Sequence, residues 1–253
     1  MKAIIIAAGK GSRLKEMTKD TPKCLLTVKG KTILDYQLQS FSANGIIDIS
    51  LVKGYCQQKL SYPNIKYYLN EDYENNNILV SLMCARQDMD TDFIASYSDI
   101  IFEEHVVQSL LKSKDAISIV VDTDFKKHYL QREGHPLDEA EKVLFDDKEY
   151  VNDIGKKLTQ PRGNTGEFIG MMKCTQEGAQ VFRRYFQKAS LEFSGRAFMK
   201  AKVFEQAYLT DFILYLTQQG VKVKCVLIQG GWQEIDVIYD LNKAREVYER
   251  STI

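Results

Sequence analysis

Hydrophobic positions along this chain fall into short continuous runs and into longer stretches with a three-to-four-residue repeat, a pattern that predicts alternating strands and helices. Residues 2–7 read as a buried strand, and 33–44 carry Leu34, Leu38 and Phe41 at helical spacing with Gly45 as the stop. Short apolar runs at 46–52, 65–69, 92–98 and 116–121 predict further strands, with helices near 78–89 and 103–113 between them. This is the βαβ rhythm of a mostly parallel twisted sheet flanked by helices, an α/β Rossmann-like architecture. After Asp122 the pattern changes. A charged stretch to Glu141 precedes strand-like runs at 142–146, 149–154 and 165–174, read as an antiparallel insertion covering the active-site end. Helices near 176–188 and 200–219 follow, the second with Leu209, Phe212, Ile213 and Leu216 on one face and Gly220 at its end. A strand at 221–228 and a helix from about 237 close the chain.

No linker or repeat interrupts this pattern, so residues 1–253 read as one domain, with a core at 1–121 and 200–253 and an acceptor-side insertion at about 122–199. Lys plus Arg equals Asp plus Glu at 34 each, which removes the broad positive field that nucleic-acid binding requires. Five cysteines at 24, 56, 84, 174 and 225 form no Cys-x-x-Cys pair, which argues against zinc or a disulfide framework and for reduced thiols. No apolar run approaches the ~20 residues of a membrane span, and the start lacks the features of a signal peptide. The expectation is a cytoplasmic protein with no membrane partner.

The candidate chemistry begins at Ala7-Ala8-Gly9-Lys10-Gly11-Ser12-Arg13-Leu14, directly after the first strand, with Pro22-Lys23 nearby. Glycines let backbone N–H groups come close to an anion while Lys10, Arg13 and Lys23 supply positive charge, which suits a nucleoside triphosphate. The spacing is wrong for a P-loop, because Lys10 lies between the glycines, and wrong for a dinucleotide fingerprint, because position 14 is Leu rather than Gly. A plain glycine turn between strand and helix is the bland alternative.

Gly9-x-Gly11-x-Arg13-Leu14, Thr21-Pro22-Lys23-x-Leu25-Leu26 and Lys31-Thr32-Ile33-Leu34-Asp35-Tyr36-Gln37-Leu38 together resemble the N-terminal signature of the nucleotidyltransferases that make NDP-sugars and CDP-alcohols. The resemblance covers the first forty residues and implies the nucleotide-diphospho-sugar transferase type of fold. It implies that Ala7 to Arg13 wrap the triphosphate, that Arg13 neutralises the β/γ phosphates and that Lys23 acts on the reacting α-phosphate. Asp99, after the strand Phe93-Ile94-Ala95-Ser96-Tyr97, and Asp236, in Trp232-Gln233-Glu234-Ile235-Asp236, match the acids that hold Mg²⁺ in the family. Magnesium needs few protein carboxylates because waters and substrate phosphates complete its shell. Many relatives carry a second acid beside Asp99, whereas this chain has Tyr97-Ser98-Asp99, and either Asp alone is more commonly a cap or turn residue.

The Asn-rich stretch 70–82, with Asn75-Asn76-Asn77 and Ser81, resembles the corresponding loop of the phosphocholine and aminoethylphosphonate cytidylyltransferases, implying CTP contacts from Asn77 and Ser81. An Asn-rich turn capping a helix would look the same. Hexose-1-phosphate transferases tend to carry Gly-Thr-Ala there. For the acceptor, the resemblance points to Lys156 for a phosphate, Glu167 or Asp211 for an ammonium group, and Gly170 and Trp232 beside them, although Trp232 reads equally as core. The charged segment holding His128, Arg132, His135 and Glu141 is read as a lid or a homodimer contact.

The expected reaction is Mg²⁺-dependent transfer of CMP from CTP to a small amino-bearing phospho-acceptor of the phosphoglutamine, phosphocholine or aminoethylphosphonate class, with release of pyrophosphate, for decoration of a bacterial surface polysaccharide. Two alternatives stay open here: a hexose-1-phosphate nucleotidyltransferase using UTP or dTTP, and a nucleotide-binding module without turnover.

Overall fold

A computed structural model describes residues 1–130, 132–159 and 163–250. Its strands are β1 (Lys2–Ala7), β2 (Thr27–Val28), β3 (Lys31–Thr32), β4 (Asp48–Lys53), β5 (Ile65–Leu69), β6 (Phe93–Tyr97), β7 (Ile100–Phe102), β8 (Ile117–Asp122), β9 (Lys142–Phe145), β10 (Val151–Gly155), β11 (Asn164–Cys174), β12 (Lys224–Ile228) and β13 (Trp232–Glu234). The helices are α1 (Ile33–Ala43), α2 (Ile78–Cys84), α3 (Glu104–Lys112), α4 (Gln176–Phe193), α5 (Leu209–Gln218) and α6 (Ile238–Arg250).

The main sheet runs β10-β9-β11-β6-β1-β4-β5, and β8 joins it through β11 and pairs with β12 on its other side. β1, β4, β5 and β6 are mutually parallel, as are β8 and β12. Ile4, Ile5 and their neighbours are sealed from water because helices lie on both faces of β1, which is why β1 reads as an unbroken apolar run rather than an alternating one.

β11 runs antiparallel to β6, β8 and β9, so the second half of the expected insertion supplies a central strand of the sheet. Its register shifts between Phe168 and Met172. At that bend Gly170 has φ +83, and a Cβ there would lie 2.4 Å from the Tyr97 ring. Glycine is required, and the kink aims Glu167 and Phe168 toward the strand ends of the sheet.

Two helix expectations change. The helix placed at 200–219 begins at Leu209, because the Asp211 carboxylate accepts N–H bonds from Tyr208 (2.9 Å) and Lys200 (3.1 Å), turning the preceding chain away from helical geometry. α5 is also buried from Leu209 to Leu216 rather than on one face, since it fills the gap between α2, α4 and β10. The helix placed at 78–89 stops at Cys84 and gives way to a 3₁₀ turn whose Asp88 binds Lys2, Lys66 and Ser50.

Candidate active site

The ends of β1, β6 and β11, together with the segment between β8 and β9, enclose one cleft. It is lined by Gly9, Gly11, Arg13, Lys23, Asn77, Asp99, Lys156, Glu167, Trp232 and Asp236 among the residues marked by sequence, and further by Tyr97, Tyr129, His135, Glu139, Glu141, Phe168, Tyr208 and Glu234.

The glycine loop is held from beneath. The Ala8 carbonyl accepts the Tyr55 N–H at 3.0 Å, and Gly54 lies so close that a Cβ would meet that carbonyl at 2.6 Å. Ala7 and Ala8 are buried by this packing, while Ser12 opens a 3₁₀ turn. Gly11 adopts φ +60, and a Cβ on it would press on the Lys23 side chain at 3.0 Å, so the loop's bend and the lysine's position depend on each other. Lys10 turns outward to Glu74 at 2.5 Å.

Lys23 is the centre of the site. Its Nζ lies 2.8 Å from Asp99 and 2.8 Å from Asp236, and the residue is 8% exposed. A short two-stranded ribbon explains how acids so distant in sequence meet. β13 pairs with β7, and the Ile235 N–H donates to the Asp99 carbonyl at 2.8 Å, so each carboxylate follows or precedes a paired strand at the same edge. Gln37 on α1 ties the Tyr97 and Ile100 carbonyls at 2.8 and 2.6 Å and fixes the turn carrying Asp99.

Burial works against a charged lysine, but Asp99 and Asp236 outweigh it and raise the Lys23 pKa. For Asp236 burial acts in the neutral direction and is overcome by His135, Lys23 and Arg13, which hold it well below the usual carboxylate range. Arg13 pairs with Asp236 Oδ2 and approaches Glu139 at 3.8 Å. Asp99 Oδ1 is buried with no hydrogen-bond partner among the described residues. Two converging carboxylates, one with an orphaned oxygen, fit a hard divalent cation that completes its shell with phosphate and water.

The opposite wall carries acids and rings. Glu167 receives the Tyr129 hydroxyl on one oxygen, while its second, Oε2, has no hydrogen-bond partner among the described residues. Burial, reinforced by Glu234 and Glu141, pushes the Glu167 pKa up to about 8 despite Tyr129 and Arg132. Glu141 receives the Tyr97 hydroxyl at 3.2 Å and is likewise pushed up to about 8, chiefly by burial. Glu234 is raised by burial and by repulsion from Asp99 and Asp236. Lys156 stands between the walls, 2.5 Å from Glu139 and over the Tyr208 ring.

Other sequence-marked residues take different places. Asn77 lines the cleft and caps α2, accepting the Ile78 N–H at 2.8 Å. Ser81 is buried behind it, accepting from Asn70 at 2.9 Å, so it orders the Asn-rich loop from inside. Trp232 lines the cleft with its indole N–H donated to the buried Asp122 at 2.8 Å, combining a wall position with a core anchor. Gly170 makes the β11 kink, and Asp211 caps α5, neither of them among the cleft-lining residues.

The charged segment contributes side chains to the site. Arg132, buried, bonds Glu234 at 2.7 Å and Asp240 at 2.7 and 2.8 Å, while Asp240 accepts the backbone N–H groups of Asp236 and Val237. His135 lies 2.8 Å from Asp236. Tyr97, Tyr129, Glu139, Tyr208 and Glu234 were not marked by sequence. Glu234 carried a signal, because it is two residues before Asp236 on an extended segment, where alternate side chains share a face.

The chain belongs to the family of the MobA-like NTP transferase domain, whose family model matches residues 3–160, and it is a nucleotidyltransferase. It is similar to the CTP:phosphoglutamine cytidylyltransferase of Campylobacter jejuni, with 32% identity over 95% of this chain and 98% of that protein. It is also similar to the choline-phosphate cytidylyltransferase of Streptococcus pneumoniae, 32% identical over 45% of this chain and 51% of that one. Among solved structures, a CTP:phosphocholine cytidylyltransferase from Streptococcus pneumoniae superposes with a TM-score of 0.73 over 98% of both chains at 21% identity. An inositol-1-phosphate CTP transferase from T. maritima does so with the same TM-score at 23% identity, over 98% of this chain and 93% of that one. These two share the fold. Among the described residues no helix is long and apolar enough to cross a membrane.

Proposed function

We propose that this protein transfers CMP from CTP to a small amino-bearing phospho-acceptor, with Mg²⁺ and release of pyrophosphate. The observation that carries the reading is Lys23 held 2.8 Å from both Asp99 and Asp236 at the mouth of the glycine loop, facing a wall of buried and half-buried acids and rings. The two cytidylyltransferases to which the chain is similar support the choice of nucleotide and acceptor class.

The acceptor's phosphate oxygen needs no general base, since the second pKa of a phosphomonoester is ~6. It attacks the α-phosphorus in line, the bond to the bridging oxygen of the β-phosphate breaks, and pyrophosphate leaves with that electron pair. The protein's part is orientation and charge neutralisation. Loop N–H groups and Arg13 hold the leaving pyrophosphate, and Lys23 offsets charge building on the α-phosphate. Lys156 receives the acceptor phosphate, while Glu167 and Glu141 meet its ammonium end. Mg²⁺, held by Asp99 and Asp236, would supply further neutralisation at the reacting phosphates. Lys23 pairs with both acids in the free protein, and a dication held by Asp99 and Asp236 would take over that pairing and leave the lysine free for the nucleotide. We place the reaction in the cytoplasm, in keeping with five free thiols, and its product as an activated group for surface polysaccharide.

Pyrophosphate release tests this reading, with CTP, UTP, dTTP, ATP and GTP each set against phosphocholine, aminoethylphosphonate, phosphoglutamine and glucose-1-phosphate. Turnover confined to CTP and an amino-bearing acceptor is expected. Turnover with UTP or dTTP and the sugar phosphate would reassign the enzyme to sugar activation.

A further inference from the structure

His135 has no role in the reaction above, yet it is placed with care. Its side chain is 5% exposed, and Nδ1, 2.8 Å from Asp236 Oδ2, makes no hydrogen bond of good geometry among the described residues. Nε2 lies 3.9 Å from Glu234. His135, Glu234 and Asp236 can each present one ligand atom so that all three lie within 4.8 Å of one another. Asp236 meanwhile divides its oxygens, Oδ1 facing Lys23 and Asp99, Oδ2 facing His135 and Arg13.

We propose that His135, Glu234 and Asp236 form a second divalent-cation site, on the side of Asp236 away from Lys23, that takes a first-row transition ion such as Mn²⁺. One imidazole nitrogen with two carboxylates is a mixed donor set, which favours manganese, cobalt or zinc over the all-oxygen preference of Mg²⁺. Asp236 then bridges two ions, an arrangement that clamps both the attacking and the leaving oxygen in phosphoryl-type transfers.

The neighbouring cations permit this. Arg13 is half exposed on a long side chain, so its guanidinium turns into solvent at little cost when an ion enters. Arg132 bonds Glu234 Oε2, the oxygen that also faces His135 at 3.9 Å, and so orients the carboxylate. With Arg13 withdrawn, four carboxyl groups, those of Asp99, Glu234, Asp236 and Asp240, face two cations, Lys23 and Arg132. The site goes beyond the transferase reading and shares only Asp236 with it.

The test is a Co²⁺ titration of the chelator-stripped full chain without nucleotide, read by visible absorption and by ions bound per chain. Two ions are expected, one with the spectrum of nitrogen ligation. Asp99→Asn should lose one ion and keep that spectrum. His135→Gln should lose the spectrum and bind the second ion more than about a hundredfold more weakly, since even an outer partner of a metal ligand is typically worth about 10- to 100-fold. A wild type that binds one ion, or a His135→Gln protein with unchanged stoichiometry and spectrum, overturns the proposal. Should His135→Gln fail to fold, Zn²⁺ titration of wild type carrying ¹⁵N-histidine decides the matter. The chain has only three histidines, and the His135 imidazole nitrogen must shift. An unmoved His135 resonance is equally fatal. Absence of pyrophosphate release alongside intact cobalt binding would count against the transferase reading alone.

Discussion

The two walls of the cleft are built in different ways. The nucleotide wall, Gly9, Gly11, Arg13 and Lys23, comes from fifteen consecutive residues and is rich in cations. The proposed acceptor wall draws Tyr97, Tyr129, Glu141, Glu167, Trp232 and Glu234 from segments far apart and is rich in buried and half-buried acids and rings. Cradling phosphates is a property of a bent backbone and a few nearby charges, so one loop suffices. Gripping an acceptor requires a shaped, partly dry pocket, which only the assembled sheet supplies. In the function proposed above, the first wall would serve any nucleoside triphosphate and the second would make the substrate choice.

The largest effect should come from breaking the first wall. Lys23→Met should lower kcat by about a thousandfold, the upper range for losing one preorganised donor. It should also destabilise the metal-free protein by roughly 3–5 kcal/mol, because two facing carboxylates lose their buried cation. Added divalent ions should therefore raise the Tm of Lys23→Met more than that of wild type. Single-turnover kinetics and thermal melts with and without metal check both statements, and turnover within tenfold of wild type would remove Lys23 from the chemistry.

Glu167→Gln probes the second wall alone. Its unpartnered Oε2 marks the place where an ammonium would dock, and a charge-assisted hydrogen bond is worth about 1.5–3 kcal/mol. The KM for the acceptor should rise by roughly 10- to 100-fold while that for CTP stays within about twofold. Equal changes in both KM values would mean that the two walls do not divide the substrates.

The sequence made the first wall readable and the second only in part, for physical reasons. Arg13, Lys23 and the glycines sit beside a strand end whose position follows from local hydrophobic pattern. Asp99 and Asp236 were legible as strand-end acids, but their meeting depends on the β7–β13 ribbon, too short to leave a periodic signal. Tyr97 and Tyr129 carry no sequence signal, because they meet the site only through β11, Tyr97 at the Gly170 kink and Tyr129 through Glu167. The expectation of a helix from 200 failed because Asp211 captures two backbone N–H groups that helical spacing alone cannot reveal.

The acid wall should also respond to pH where the cation wall does not. Glu141 and Glu167 ionise near 8 in the folded protein, so the acceptor KM should fall by up to about tenfold per unit as pH rises from 6 toward 8. Their folded values lie above the ordinary carboxylate value, so the fold binds protons that the unfolded chain releases. The stability they contribute is full below the unfolded pKa and is lost as pH rises through about 8. Replacing both by Gln should flatten the acceptor profile and remove that part of the decline in Tm. A CTP profile that bends in step with the acceptor profile would assign the titration to the other wall.

Lys10 offers the finest test, because it belongs to the glycine loop in sequence and faces away from the cleft-lining residues in space. Its ammonium pairs with Glu74 in the open, where a solvated ion pair adds next to nothing to stability. Lys10→Ala should therefore leave Tm unchanged. Its positive charge still lies within a Debye length of a triphosphate bound along the loop, so the KM for CTP should rise, by roughly two- to fivefold at low salt and less at high salt. The acceptor KM should not move. A salt-independent effect would mean that Lys10 leaves Glu74 to contact the nucleotide directly, which would extend the cation wall by one residue. A null result at all ionic strengths would confine that wall to Arg13, Lys23 and the loop backbone.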